Sequence, residues 1–136
     1  DAFFNDVNSI NDVIYNQTGS YSNILRFPGG SSNTVSRFNP GIMSNLSRMV
    51  EEKGFKYFDW NVSSGDASGN ILSSDVYASN IINGLGNGTN YVVLQHDTNI
   101  NSIRAVSTVI EYGLAHGYSF RALDVNGPIV HHRIAN

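Results

Sequence analysis

Three short stretches of the 136-residue chain gather side chains able to move protons. They are Arg26-Phe27-Pro28-Gly29-Gly30-Ser31-Ser32, Asp59-Trp60-Asn61-Val62-Ser63-Ser64-Gly65-Asp66 and Leu94-Gln95-His96-Asp97. One Arg, two or three carboxylates and one His suit general acid–base chemistry on a polar substrate. Asp66 sits in a Gly/Ser loop, where Asp is also a routine turn former. Asp97 reads as a capping or local hydrogen-bonding residue. Trp60 reads as core or groove wall rather than a sugar-stacking platform.

The elements that position these stretches follow from hydrophobic periodicity. Phe3, Phe4, Val7, Ile10, Val13 and Ile14 share a helical face, with Asp1 as N-cap and Gly19 after the end. Ile24 to Phe27 reads as a strand. Asn39-Pro40 is a helix start, followed by Ile42, Met43, Leu46, Met49 and Val50 as a buried face and Gly54 as the stop. Lys56 to Val62 reads as the next strand, and Ser63 to Asn70 as a loop. Asp75 to Leu85 is a third helix with Val76, Ile81, Ile82 and Leu85 inward. Asn83 to Asn90 is turn-rich, and Tyr91 to Leu94 is a third strand. Asn101 to His116 is a fourth helix with Ile103, Val106, Val109, Ile110 and Leu114 on one face, ending at Gly117. Ser119 to Leu123 reads as a fourth strand, and the tail as irregular.

Helix and strand alternate four times over short connections. That pattern specifies an α/β fold of parallel (β/α) units, in which functional residues gather at the C-terminal ends of strands. All three reactive stretches follow such ends. Four strands are too few to close a barrel, and an open remnant leaves edges unpaired. With no initiator Met and a helical pattern starting at Asp1, the chain reads as a fragment of something longer.

Composition narrows the function. The chain is 40% hydrophobic and 14% charged, with Asn (18) and Ser (17) supplying much of its polarity. A net charge of −3 gives no electrostatic case for nucleic acid or an anionic membrane. No apolar run reaches the length of a membrane span, and no signal peptide is visible. The absence of Cys excludes disulfides, thiolate metal sites and a cysteine nucleophile. Gly29-Gly30 lacks the Gly-x-x-x-x-Gly-Lys of a phosphate loop, and Ser31-Ser32 with His96 lacks the Gly-x-Ser-x-Gly of a serine hydrolase. His116 reads as a structural residue at a helix C-terminus, and His131-His132 as a surface tail. Asn16-Gln-Thr, Asn45-Leu-Ser, Asn61-Val-Ser and Asn87-Gly-Thr fit the glycosylation sequon at a frequency expected by chance in so Asn-rich a chain.

The three stretches resemble motifs of the polysaccharide deacetylase family (carbohydrate esterase family 4, NodB-like). Arg26-Phe27-Pro28-Gly29-Gly30 resembles its third motif, Trp60 to Asp66 its fourth and Leu94-Gln95-His96 its fifth, in that order. The resemblance implies the C-terminal part of a distorted (β/α)7 barrel, so that residues 1–136 form a single incomplete domain. It implies a metal-dependent hydrolase that removes acetyl groups from amino sugars of a cell-wall polysaccharide such as peptidoglycan or a chitin-like glycan. The metal is divalent, zinc being expected. By resemblance His96 is the general acid, Asp66 pairs with it and favours its protonated form, and Arg26 orients the catalytic base. Leu94 and Trp60, with Pro28 and Gly29, line the substrate site. The family's remaining motifs supply the base and the metal ligands, and neither an Asp-Asp pair nor His-x-x-x-His occurs here. Ala67 stands where a Trp is expected, and Ser63 where an Asp is common. The chain alone is therefore expected to be inactive, to hold no metal, and to need the missing N-terminal segment or self-association. A bacterial, extracellular or cell-wall location follows from the family. The alternatives are a non-catalytic glycan-binding or cell-surface domain and a metal-free α/β hydrolase.

Overall fold

The computed structural model describes residues 2–86 and 88–136. The expected N-cap Asp1 and the sequon residue Asn87 lie outside them. The described chain follows the expected order of helices and parallel strands, with two departures, a split second strand and no strand after the last helix. Its elements are α1 (Ala2–Thr18), β1 (Ile24–Leu25), α2 (Ile42–Glu52), β2 (Lys56–Tyr57), β3 (Val62–Ser63), α3 (Ser74–Gly84), β4 (Val93–Leu94) and α4 (Ile100–Ala115). They fall into two compact units. One comprises Asp1–Phe58, Asp124–Asn126 and Arg133–Asn136, the other Asp59–Leu123 and Gly127–His132.

In the first unit, β1 and β2 pair in parallel, Ile24 with Lys56 and Leu25 with Tyr57. The core comprises Phe4 of α1, Phe27, Met43 and Val50 of α2, and Tyr57. Burying each such side chain is worth about 1.5–3 kcal/mol. The helix at Asn39-Pro40 starts later than expected. Gly41, at φ 79°, is its N-cap, because its N–H is held by Asn136 Oδ1 at 2.9 Å while the chain turns into α2. Beyond Phe3 and Phe4 the apolar stripe of α1 is not buried. Ile10 is 58% and Val13 49% exposed. Val7, Ile10 and Ile14 instead line an open groove of about 400 Å³ beside Ile24 and Leu25. The buried polar residue of α1 is Asn11, which clamps Ser22 by accepting its N–H at 2.7 Å and donating to its carbonyl at 2.9 Å.

In the second unit, β3 and β4 pair in parallel, Val62 with Val93 and Ser63 with Leu94. The expected strand Lys56 to Val62 is two strands. Phe58 N–H still bonds to Leu25, but Asp59 N–H goes to Val130 and Asn61 and Val62 to Val92, so the chain changes partners between them. No strand forms at Ser119 to Leu123. Tyr118 N–H is spent on Gly113 at the end of α4, and Phe120 is 50% exposed.

The packed faces of α3 and α4 also differ from the expected ones. Tyr77, Ala78 and Ile81 are buried on α3, whereas Val76 is 42% exposed. On α4 the buried residues are Ser102, Ala105, Val109 and Gly113, and Ile103, Val106, Ile110 and Leu114 stay exposed. Small side chains let α4 approach α3 closely, so the tight contact falls on them rather than on the apolar stripe.

Candidate functional site

The parallel pairing of β3 with β4 decides the geometry. Equal register places the chain beyond Ser63 beside the chain beyond Leu94, and Ser64 N–H continues the ladder to Leu94 carbonyl at 3.1 Å. Gly65 then takes φ 79°, a left-handed turn that a Cβ would strain. Ser63 and Ser64 hydroxyls accept the Gly65 and Asp66 N–H groups. The turn brings Asp66 against His96.

Asp66 Oδ1 lies 2.8 Å from His96 Nδ1. Its Oδ2 accepts the His96 backbone N–H at 2.7 Å and the Ser102 hydroxyl at 2.5 Å. The Asp66 side chain is 1% exposed, that of His96 32%. Burial alone pushes the Asp66 carboxyl up. Hydrogen bonds from Ser102, from the His96 ring and backbone and from Ser64 outweigh it, and the carboxyl is held at about 2. A carboxylate facing Nδ1 fixes the proton there, and Nε2 has no hydrogen-bond partner among the described residues.

Leu94 ends β4, two residues before His96, and is half-buried. Trp60 stands edge-on to the His132 ring, with centroids 4.6 Å apart. His132 is not part of a loose surface tail. Its Nε2 donates to the Trp60 carbonyl at 2.7 Å, and its backbone N–H donates to Oδ2 of buried Asp59 at 2.8 Å. The strand end thus holds the returning chain, a role that adjacent histidines in sequence do not signal. Asp97 is exposed, and the cap of α4 is Asn99, whose Oδ1 accepts from Asn101 and Ser102. His116 closes the same helix, its Nδ1 2.7 Å from the Tyr112 carbonyl.

Arg26, Pro28 and Gly29 lie in the first unit. Arg26 is exposed just beyond β1, with one guanidinium nitrogen 3.3 Å from the Phe27 carbonyl. Phe27, 2% exposed, anchors the turn in the core, and Gly30 N–H closes it on the Phe27 carbonyl. Pro28 and Gly29 are exposed on that turn.

A divalent metal asks for at least three clustered donors. Among the described residues no three of His, Asp and Glu form such a group. Asp66 and His96 are already bonded to each other. The residues present do not fit a metal site by themselves.

No family model matches the chain, and no curated protein matches it. Solved structures do. The catalytic domain of peptidoglycan N-acetylglucosamine deacetylase from Eubacterium rectale shares 46% identity over 99% of this chain, with a TM-score of 0.95. A polysaccharide deacetylase from Bacillus cereus shares 29% identity over 95% of the chain, with a TM-score of 0.72. A carbohydrate esterase family 4 (CE4) esterase from Streptococcus mutans shares the fold, at 20% identity over 81% of the chain and a TM-score of 0.61. The chain spans 62%, 61% and 48% of those three chains. With three motifs in order and this likeness in sequence and fold, the chain is similar over nearly all its length to the polysaccharide deacetylases.

Proposed function

We propose that this chain carries the acid half of a deacetylase site, acting on N-acetyl groups of amino sugars in a bacterial cell-wall glycan such as peptidoglycan. The observation that carries the reading is the Asp66–His96 pair, with the carboxylate on Nδ1 and Nε2 left to face a substrate. Amide hydrolysis breaks a C–N bond whose amine leaves only when protonated. An imidazolium held by a buried carboxylate supplies that proton from Nε2. Asp66 keeps the ring in one orientation and stabilises its positive charge. Trp60 and Leu94, in the same unit as the pair, line the acetylated sugar.

The divalent metal, zinc in this reading, belongs to the complete domain, of which residues 1–136 form an incomplete part. Bound in the complete domain it would supply Lewis-acid chemistry toward the acetyl carbonyl, and this chain's described residues would not hold it by themselves. The chain alone is inactive. The open groove beside α1 and, separately, the exposed stripe of α4 support a polypeptide partner supplied by the rest of the domain. The location is extracellular or at the cell wall, where such a glycan lies.

The test is acetate release from an N-acetylglucosamine oligomer by the chain alone and by the complete domain. Activity only in the complete domain, lost with a chelator, supports the reading. Glycan binding without turnover in the complete domain points instead to a binding module, and chelator-resistant turnover to a metal-free hydrolase. Monomeric, fully active chain on its own would sink the division of labour.

A further inference from the structure

We propose that Ser102 is a positioning residue for His96: its buried hydroxyl donates to Asp66 Oδ2 and locks that carboxylate, ionised and in one orientation, against the imidazole. The reaction it serves rests on the deacetylase reading, but the hydrogen bond does not.

Ser102 is fully buried in the first turn of α4. A serine inside a helix ordinarily turns its hydroxyl back to a carbonyl one turn earlier. Here the hydroxyl reaches across 36 positions of sequence to Asp66 at 2.5 Å, within the range of a charge-assisted bond. An ionised carboxylate has no proton to give, so Ser102 is the donor. Its backbone is fixed at both ends. Asn99 Oδ1 accepts its N–H at 3.4 Å, and Gln95 Nε2 donates to its carbonyl at 2.6 Å. Gln95 precedes His96, so the strand end that carries the imidazole is tied to the serine that holds its partner.

Oδ2 then has two donors, Ser102 and the His96 backbone, while Oδ1 serves the ring. Rotation of the carboxylate would break all three bonds. Without the hydroxyl, Oδ2 keeps one donor, and the carboxylate is both less strongly held and less acidic. Ser102 is no nucleophile in this arrangement, because its proton goes to the carboxylate and not to an imidazole base.

The experiment follows the Asp66 carboxyl carbon by NMR against pH in this chain, with Ser102→Ala and Ser102→Thr. Unaltered protein keeps Asp66 ionised to about 2. Ser102→Ala raises the midpoint by about one pH unit or more, as expected for loss of a bond to a charged group. Ser102→Thr, which keeps the hydroxyl, stays near the unaltered value. An unchanged midpoint in Ser102→Ala overturns the proposal. Should that variant fail to fold, the unaltered chain still decides it: a slowly exchanging Ser102 hydroxyl proton is expected, and its absence overturns the bond. In the complete domain Ser102→Ala lowers kcat about tenfold with KM little changed, and Thr restores it. Equal kcat in both overturns the positioning role alone. An inactive unaltered domain overturns the deacetylase reading and leaves the carboxyl titration standing.

Discussion

The Asp66 carboxylate holds His96 twice, by the ring through Oδ1 at 2.8 Å and by the backbone through Oδ2 at 2.7 Å. One side chain thus fixes both the tautomer and the position of its partner. The pairing follows from two strands in equal register and a left-handed Gly65.

The same carboxylate makes stability fall in acid. Its pKa is depressed in the fold, from 3.8 to about 2. The stabilisation is complete above 3.8 and is lost as pH falls through about 2. That difference is worth at most about 2.5 kcal/mol. Urea unfolding between pH 2 and 6 should show it, and Asp66→Asn should flatten that limb while lowering stability at pH 6. An equally steep acid limb in Asp66→Asn would assign it to other groups.

Gly84 leaves room for the strand that leads to Asp66. A Cβ there would lie 2.8 Å from Cγ1 of Val62, which is 4% exposed. Alanine gains up to about 1 kcal/mol in helix propensity. Forcing aside a stiff β-branched side chain in a packed core costs about 1–3 kcal/mol. Gly84→Ala should therefore destabilise, and Val62→Ala in the same chain should recover part of the loss. A more stable Gly84→Ala variant would show that β3 yields easily.

His132 should act as a clasp rather than a reactive group. Its replacement by Ala removes the Nε2 bond to Trp60 and the ring contact, with a cost of about 1–3 kcal/mol. Amides of residues 127–132 should exchange with solvent faster, while the Asp66 titration stays in place. A shifted Asp66 midpoint would couple the two histidines and contradict this separation.

Metal binding should need more than this chain. Calorimetric titration of zinc into the chain is expected to show no 1:1 site, since no three donors cluster among the described residues. Stoichiometric micromolar binding would contradict that expectation.

Much of the α/β order was legible in the sequence because caps and glycines punctuate it. Gly19 and Gly117 do take left-handed turns after α1 and α4. Periodicity was a poorer guide to which face packs. On α4 it marks Ile103, Val106, Val109, Ile110 and Leu114, yet only Val109 of these is buried. Helices that approach closely bury small residues, which periodicity does not weigh. The break between β2 and β3 was invisible, because it depends on which strand supplies the next carbonyl. Asp66 and His96 were found through resemblance to family motifs. Ser102 was missed, being one of 17 serines and 36 positions from the carboxylate it serves.

The most direct measurement is kcat for acetate release from an N-acetylglucosamine oligomer by the complete domain, with and without His96→Ala and Asp66→Asn. Loss of an acid that protonates the leaving amine should lower kcat by about 100-fold or more in His96→Ala, with a large loss also in Asp66→Asn and KM little changed in both. Turnover within a few-fold of the unaltered domain in His96→Ala would contradict the account.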